Sequence, residues 1–182
     1  MKLCYIDTET TGTHPKYNGL IQISGLIEID GIVKKEFDFT VRPFPDDQIE
    51  QTALDITRRT REEILNFPAP VDVFSKLRNI FNEFIDVNQK NDRYFFVAYN
   101  AMFDWNFLRS FFYKNDNEDF SYYFFFPPID VMYLAAEFLK SKRANMTNFK
   151  LETVAQEVGI AVNKDNFHDS LYDIQITRDV YN

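Results

Sequence analysis

The sequence predicts an α/β fold: a mixed β-sheet flanked by α-helices, in a single domain over residues 1–182. Three features carry that reading. Strand-like segments come first as a meander; strands and helical patterns then alternate; and no Ser/Gly-rich linker, internal repeat or low-complexity stretch divides the chain. The composition agrees, with 45% hydrophobic residues, 26% charged and only 5 Gly and 7 Pro, which excludes disordered and collagen-like chains and leaves a chain able to bury a core.

Residues 2–8 (KLCYIDT) read as the first strand, followed by a Thr/Gly/His/Pro-rich loop at 10–18. Two further strands, 20–29 and 32–41, are joined at Asp30-Gly31, the strongest short hairpin signal. The pattern turns helical from Ile56. After Pro68 and Pro70, Val71, Phe74, Leu77, Phe81, Phe84 and Ile85 recur at helical spacing with charges between them, as in an amphipathic helix packed on a sheet. Residues 94–100 form a nearly continuous apolar run, expected of a strand covered on both faces, and a helix follows over 103–114. A polar loop at 116–119 precedes a short strand in 122–130 stopped by Pro127-Pro128. Helices are predicted over 131–139, 151–159 and 170–181, with Gly159 a helix-end signal.

The chain carries 20 Lys and Arg against 28 Asp and Glu, a net charge of −8, so its overall field repels nucleic acid and a broad phosphate-coating binder is excluded. An acid excess of this kind can instead gather at a divalent-cation site. Most of the 20 Phe and 10 Tyr are assigned to the core. Cys4, the only cysteine, forms no internal disulfide. No apolar run approaches the ~20 residues of a membrane span, and acids occupy the first ten positions where a signal peptide needs an apolar stretch. The expectation is a cytoplasmic protein with no membrane partner.

Asp7 and Glu9 stand two apart at the end of the first strand, so the strand period aims both carboxylates at one face. Two adjacent acids repel unless a cation joins them. Asp104 opens the helix after the buried strand, where the helix dipole also favours an acid, but Phe103 and Trp105 add aromatic surface suited to stacking a base. Ser170 and Asp173 fit a capping box at the start of the last helix. Capping does not account for His168, which is expected in the turn just before that helix and is of the residue type suited to taking a proton from water near neutral pH.

The order D-x-E (Asp7, Glu9), N-x-x-F-D (Asn100 to Asp104), H-x-x-x-x-D (His168 to Asp173) resembles the DEDD exonucleases, in the His-containing DEDDh branch with the DnaQ-like, RNase H-like fold. That branch includes proofreading subunits of DNA polymerase III, RNase T and oligoribonucleases. The resemblance covers essentially the whole chain. Asp7-Thr-Glu-Thr-Thr-Gly12 is similar to the first motif in full, 53–57 (ALDIT) resembles the substrate-wedge segment with Asp55 where the family usually has a small residue, and Lys150-Leu151 with Gly159-Ile160 resembles the helix before the third motif.

The resemblance implies a 3′ to 5′ exonuclease that hydrolyses single-stranded DNA or 3′ ends to nucleoside 5′-monophosphates. It implies two Mg²⁺ or Mn²⁺ ions held by Asp7, Glu9, Asp104 and Asp173, with His168 as the general base that takes a proton from the attacking water. Substrate contacts are implied for Leu54 as a wedge on the last base, Phe103 as a stacking surface and Thr10 at the terminal 3′ hydroxyl. Asn100 either holds sugar or phosphate or caps the helix; His14 and Tyr17 lie in the loop after the first motif. Arg58, Arg59 and Arg61, and Lys140, Lys142 and Arg143, are the candidate phosphate guides. Two alternatives stay open: an exoribonuclease acting on short RNA, and a non-catalytic scaffold that binds nucleic-acid ends. The chain ends at Asn182, nine residues after Asp173, which leaves a stand-alone enzyme or one domain of a larger assembly with a polymerase or repair partner.

Overall fold

The computed structural model describes residues 1–163 and 169–182. Its centre is a five-stranded mixed sheet of β1 (Lys2–Thr10), β2 (Leu20–Ile29), β3 (Ile32–Thr40), β4 (Tyr94–Ala98) and β5 (Phe124–Asp130), in the order β3-β2-β1-β4-β5. The meander β1-β2-β3 is antiparallel, while β4 and β5 add parallel to β1. The hairpin turns at Asp30 and Gly31, both at positive φ, the backbone that an Asp-Gly pair takes at low cost.

Alternation along β1 divides the molecule into two layers. Cys4 and Ile6 face one core, with α3 (Pro70–Asn82), α4 (Ala101–Lys114) and the short α5 (Phe120–Tyr123) packed over it; Leu3 and Tyr5 face the other, covered by α6 (Val131–Phe138) and α8 (Ser170–Tyr181). The first core holds most of the aromatic surplus, with Phe81, Phe96, Phe107, Phe112 and Phe124 fully buried and Phe74 edge-on to Phe112 at 4.9 Å. A third cluster lies under α1 (Gln51–Thr57) and α2 (Arg61–Leu65), and a fourth joins α6 to α7 (Leu151–Glu157).

Several boundaries differ from the sequence reading. β1 runs two residues further, through Glu9 and Thr10, because β2 continues to pair with it across a register shift. Helix begins at Gln51 rather than at Ile56. Helix α3 ends at Asn82 and leaves Val71 exposed, since Val73, Phe74, Leu77, Ile80 and Phe81 supply its buried face. Pro127-Pro128 does not stop β5. The strand is at the sheet edge, and its pairing with β4 jumps from Phe95↔Phe125 to Val97↔Ile129, so both prolines sit in the irregular stretch where no ladder donor is needed. The last helix is capped by Asp169, whose carboxylate accepts from Leu171 and Tyr172 N–H, rather than by a Ser170–Asp173 box.

One buried ion pair fixes α8 to the sheet: Arg178 Nε donates to Glu28 Oε2 at 2.6 Å, with the Glu28 side chain almost wholly enclosed. Arg178→Ala leaves that carboxylate buried and unpaired and is expected to cost about 2 kcal/mol, less than a fully buried pair because Arg178 is partly solvated. Urea unfolding should show a lower midpoint at unchanged slope, and Glu28→Gln in the same background should recover part of the loss.

Candidate active site

The acids gather at the carboxyl ends of the parallel strands β1 and β4, the usual place for a site in an α/β sheet. Parallel pairing ends at Tyr5↔Val97, so the β4-facing edge of β1 is open beyond it. Asp104, in the first turn of α4, fills that gap: its Oδ1 accepts from Thr8 N–H at 3.0 Å and from Thr8 Oγ1 at 2.8 Å, and the residue is 4% exposed. Asp7 and Glu9 follow Leu3 and Tyr5 on the face toward α8, where Asp173 stands in the first turn. The register shift between Glu9 and Thr10 falls at the same place, as bulges beside functional groups often do.

The electrostatics show the convergence. Burial, then the charges of Asp104, Glu9 and Asp173, hold the Asp7 carboxyl well above the usual carboxylate range; the buried Ser170 hydroxyl lies close enough to offset this in part without reaching hydrogen-bond geometry. Glu9 is pushed up to about 7 by burial and by Asp173, against a lowering by Arg59. Asp104 is raised to about 7 by burial, opposed by its Thr8 hydrogen bonds. Among the described residues no three acid, histidine or cysteine side chains are arranged to hold a metal ion as they stand. The donor set is nevertheless the all-oxygen kind that hard divalent cations take, and each acid here raises the cost of ionising its neighbours, so the residues fit such a cation.

A cleft of about 190 Å³ opens beside the acids, lined by Glu9, Thr10, Gly12, Ala53, Ile56 and Phe103 among others. Phe103 is half-buried against Phe107 at 4.9 Å and presents its free side to the cleft. The Thr10 hydroxyl donates to Gly12 carbonyl O at 2.7 Å, and Gly12 lies so close to Asn18 and Glu50 that a Cβ there would displace their side chains. Leu54 turns the other way: it is 2% exposed, packed with Ile21 and Ile64, and its α1 neighbours Ala53, Ile56 and Thr57 face the cleft. Trp105 also joins the core, against Phe120 at 4.7 Å, so it offers no stacking surface beside Asp104. Asn100 is exposed, at φ 64, and makes no side-chain cap. His168 lies outside the described residues. Of the basic trio 58, 59 and 61, Arg59 is the one whose charge is felt at Glu9.

The sequence reading missed Asp130. Its Oδ1 accepts from Asn100 N–H at 3.2 Å and Met132 N–H at 3.0 Å, and its Oδ2 from Ala101 N–H at 2.9 Å. One carboxylate thus caps both α4 and α6 and sets where the helix bearing Phe103 and Asp104 begins. The Ile129-Asp130-Val131 stretch shows only a strand running into a helix, and the second helix it serves is 30 residues back in sequence.

Asp130→Ala should lower stability by about 2 kcal/mol in thermal unfolding, with Asp130→Asn losing less because one acceptor oxygen remains. A second expectation concerns pH. Asp7, Glu9 and Asp104 have folded-state pKa values raised above those of the unfolded chain, so without metal the folded state binds the extra protons. The contribution of these three groups to stability is then full below about pH 4 and is lost as pH rises toward about 7. In EDTA the melting temperature should drop over that window, and Mn²⁺ should raise it far more at pH 8 than at pH 5.

The RNase T exonuclease family matches residues 4–181. The PolC-type DNA polymerase III of Pediococcus pentosaceus is 26% identical over 177 residues, 97% of this chain and 11% of the polymerase. The 3′-5′ DNA exonuclease Cap18 of Escherichia coli is 26% identical over 115 residues, 62% of this chain and 58% of that protein. Among solved structures, E. coli exonuclease I with a dT13 oligonucleotide has a TM-score of 0.75 at 20% identity, over 99% of this chain and 40% of that one, a likeness of fold. The chain therefore spans only a part of these relatives. With the family model matched from Cys4 to Tyr181, the chain belongs to the RNase T exonuclease family.

Proposed function

We propose that the chain is a metal-dependent 3′ to 5′ exonuclease that removes nucleoside 5′-monophosphates from single-stranded DNA ends. The observation that carries this is the convergence of Asp7, Glu9, Asp104 and Asp173, the last three raising the cost of charge on Asp7, beside an open cleft of about 190 Å³. A binding scaffold gains nothing from placing acids where phosphates must lie. Mg²⁺ or Mn²⁺, held two at a time by these four residues, would supply the positive charge that activates a water and steadies the leaving 3′ oxygen.

The chain's own groups do the rest. Phe103 stacks on the terminal base, and Ala53, Ile56 and Thr57 form the opposite wall. The Thr8–Asp104 bonds hold that carboxylate in one rotamer while leaving its Oδ2 for ligation. Ser170 and Arg59 temper the charge on Asp7 and Glu9. His168, five residues before Asp173, takes the proton from the attacking water as general base. DNA is favoured over RNA by the relatives: Cap18 is a DNA exonuclease, the PolC-type proteins are DNA polymerases, and exonuclease I was solved on dT13. The PolC-type likeness also supports a polymerase or repair setting.

The test is a 5′-labelled oligonucleotide ladder in Mg²⁺, Mn²⁺ or EDTA. Shortening from the 3′ end should require metal, Asp7→Asn should lower the rate about a thousandfold and His168→Ala by 10²–10⁴ (order of magnitude). Ends bound but left intact in every metal would refute the reading.

A further inference from the structure

We infer that the turn joining α6 to α7, residues 140–150, is a second nucleic-acid contact surface, which holds the phosphates of the strand upstream of the nucleotide being removed. This rests on the exonuclease reading above and extends it to a part of the molecule that the acid site does not include.

Charge is the first ground. Within a chain of net charge −8, this stretch carries Lys140, Lys142, Arg143 and Lys150 and no acid. All four side chains are exposed. Lys140 pairs with Glu137 and Lys142 lies 3.6 Å from Glu157, surface pairs that exchange readily for phosphate. Among the described residues neither Arg143 nor Lys150 is paired with a carboxylate; Arg143 instead rests over the Phe149 ring at 4.9 Å, a contact that orders its guanidinium.

Position is the second ground. The Tyr99 hydroxyl donates to Phe149 carbonyl O at 2.6 Å, and Tyr99 lies between the last residue of β4 and Asn100. That bond, with the packing of Met146 and Phe149 on Leu139 and Val154, fixes the end of the turn at the carboxyl end of β4, where the acids are. The terminal-nucleotide cleft lies on the α1 and Phe103 side with Glu9 in its wall, whereas α6 and α8 cover the opposite face of the sheet, the face that Asp7 shares with Leu3 and Tyr5. The acids therefore stand between the cleft and the turn. A strand whose last nucleotide fills the cleft and whose scissile phosphate lies at the acids is carried next toward the turn. Elsewhere the acidic surface repels it, so a local basic surface there decides its path. Tyr133 and Phe138, 66% and 76% exposed on α6, add aromatic surface leading to the same turn, of the sort on which unpaired bases stack.

The test compares a substrate that reaches the turn with one that does not: 5′-labelled dT12 and a thymidine dinucleotide, with wild type, Arg143→Ala/Lys150→Ala and the charge-keeping Arg143→Lys/Lys150→Arg. In Mg²⁺ the alanine pair should raise KM for dT12 about tenfold with kcat within about twofold, leave dinucleotide hydrolysis within about twofold, and be rescued by the charge-keeping pair. Fluorescence anisotropy of dT12 in EDTA should show a matching loss of affinity, with the slope of log Kd against log salt shallower by about 1.4 for two lost contacts. Equal KM for dT12 in wild type and the alanine pair, with an unchanged salt slope, would overturn the inference while leaving the exonuclease intact. A turn that binds an acidic peptide but not dT12 would overturn it in favour of protein docking. Loss of the anisotropy effect is thus separable from failure of hydrolysis in the wild type, which strikes the catalytic reading instead.

Discussion

Mutual repulsion among enclosed carboxylates is the constraint on which the rest of this structure turns. Asp7 feels Asp104, Glu9 and Asp173 together, in a setting that already opposes charge. Left to themselves, such groups would part or take up protons. The fold resists the first by fixing the four acids to three rigid elements: Asp7 and Glu9 to β1, Asp104 to the start of α4 and Asp173 to the start of α8. The second remains open to them, since burial and mutual repulsion push these carboxyls toward the protonated form.

Rigid placement comes from a few polar links in an otherwise aromatic interior. Thr8 bonds Asp104 across the open edge of β1, Asp130 caps two helices with one carboxylate, and Arg178 ties α8 to Glu28 on β2. Each link spans a long stretch of sequence. Each also satisfies a buried or helix-end polar group that would otherwise lack a partner, so the same bonds that position the acids stabilise the layers. The Phe-rich core supplies a well-packed support; Trp105, although beside Asp104 in sequence, belongs to that support and not to the cleft.

Charge distribution then separates the surfaces. The protein is acidic as a whole, its acids concentrate at one end of the parallel strands, and the turn at 140–150 is locally basic. On the proposed reading, a phosphate chain would meet repulsion over much of the surface and attraction along one side of the site. Such an arrangement suits binding by strand end better than binding along a duplex.

Local patterns were legible in the sequence because they depend on near neighbours. The Asp30-Gly31 hairpin needs only two residues able to take positive φ, the buried run at 94–100 declares a covered strand, and the D-x-E spacing alone puts Asp7 and Glu9 on one face. The tertiary structure decided what depends on distant partners. Edge position allowed Pro127-Pro128 inside β5, where the sequence suggested a stop. A satellite core of Ile21 and Ile64 drew Leu54 inward and left Ile56 on the cleft, although both lie in the same helix. Asp130 acquired its role only when α4, 30 residues earlier in the chain, came to start beside it. Periodicity tells which residues share a face; which face meets which partner is settled by the packing of segments that sequence order keeps apart.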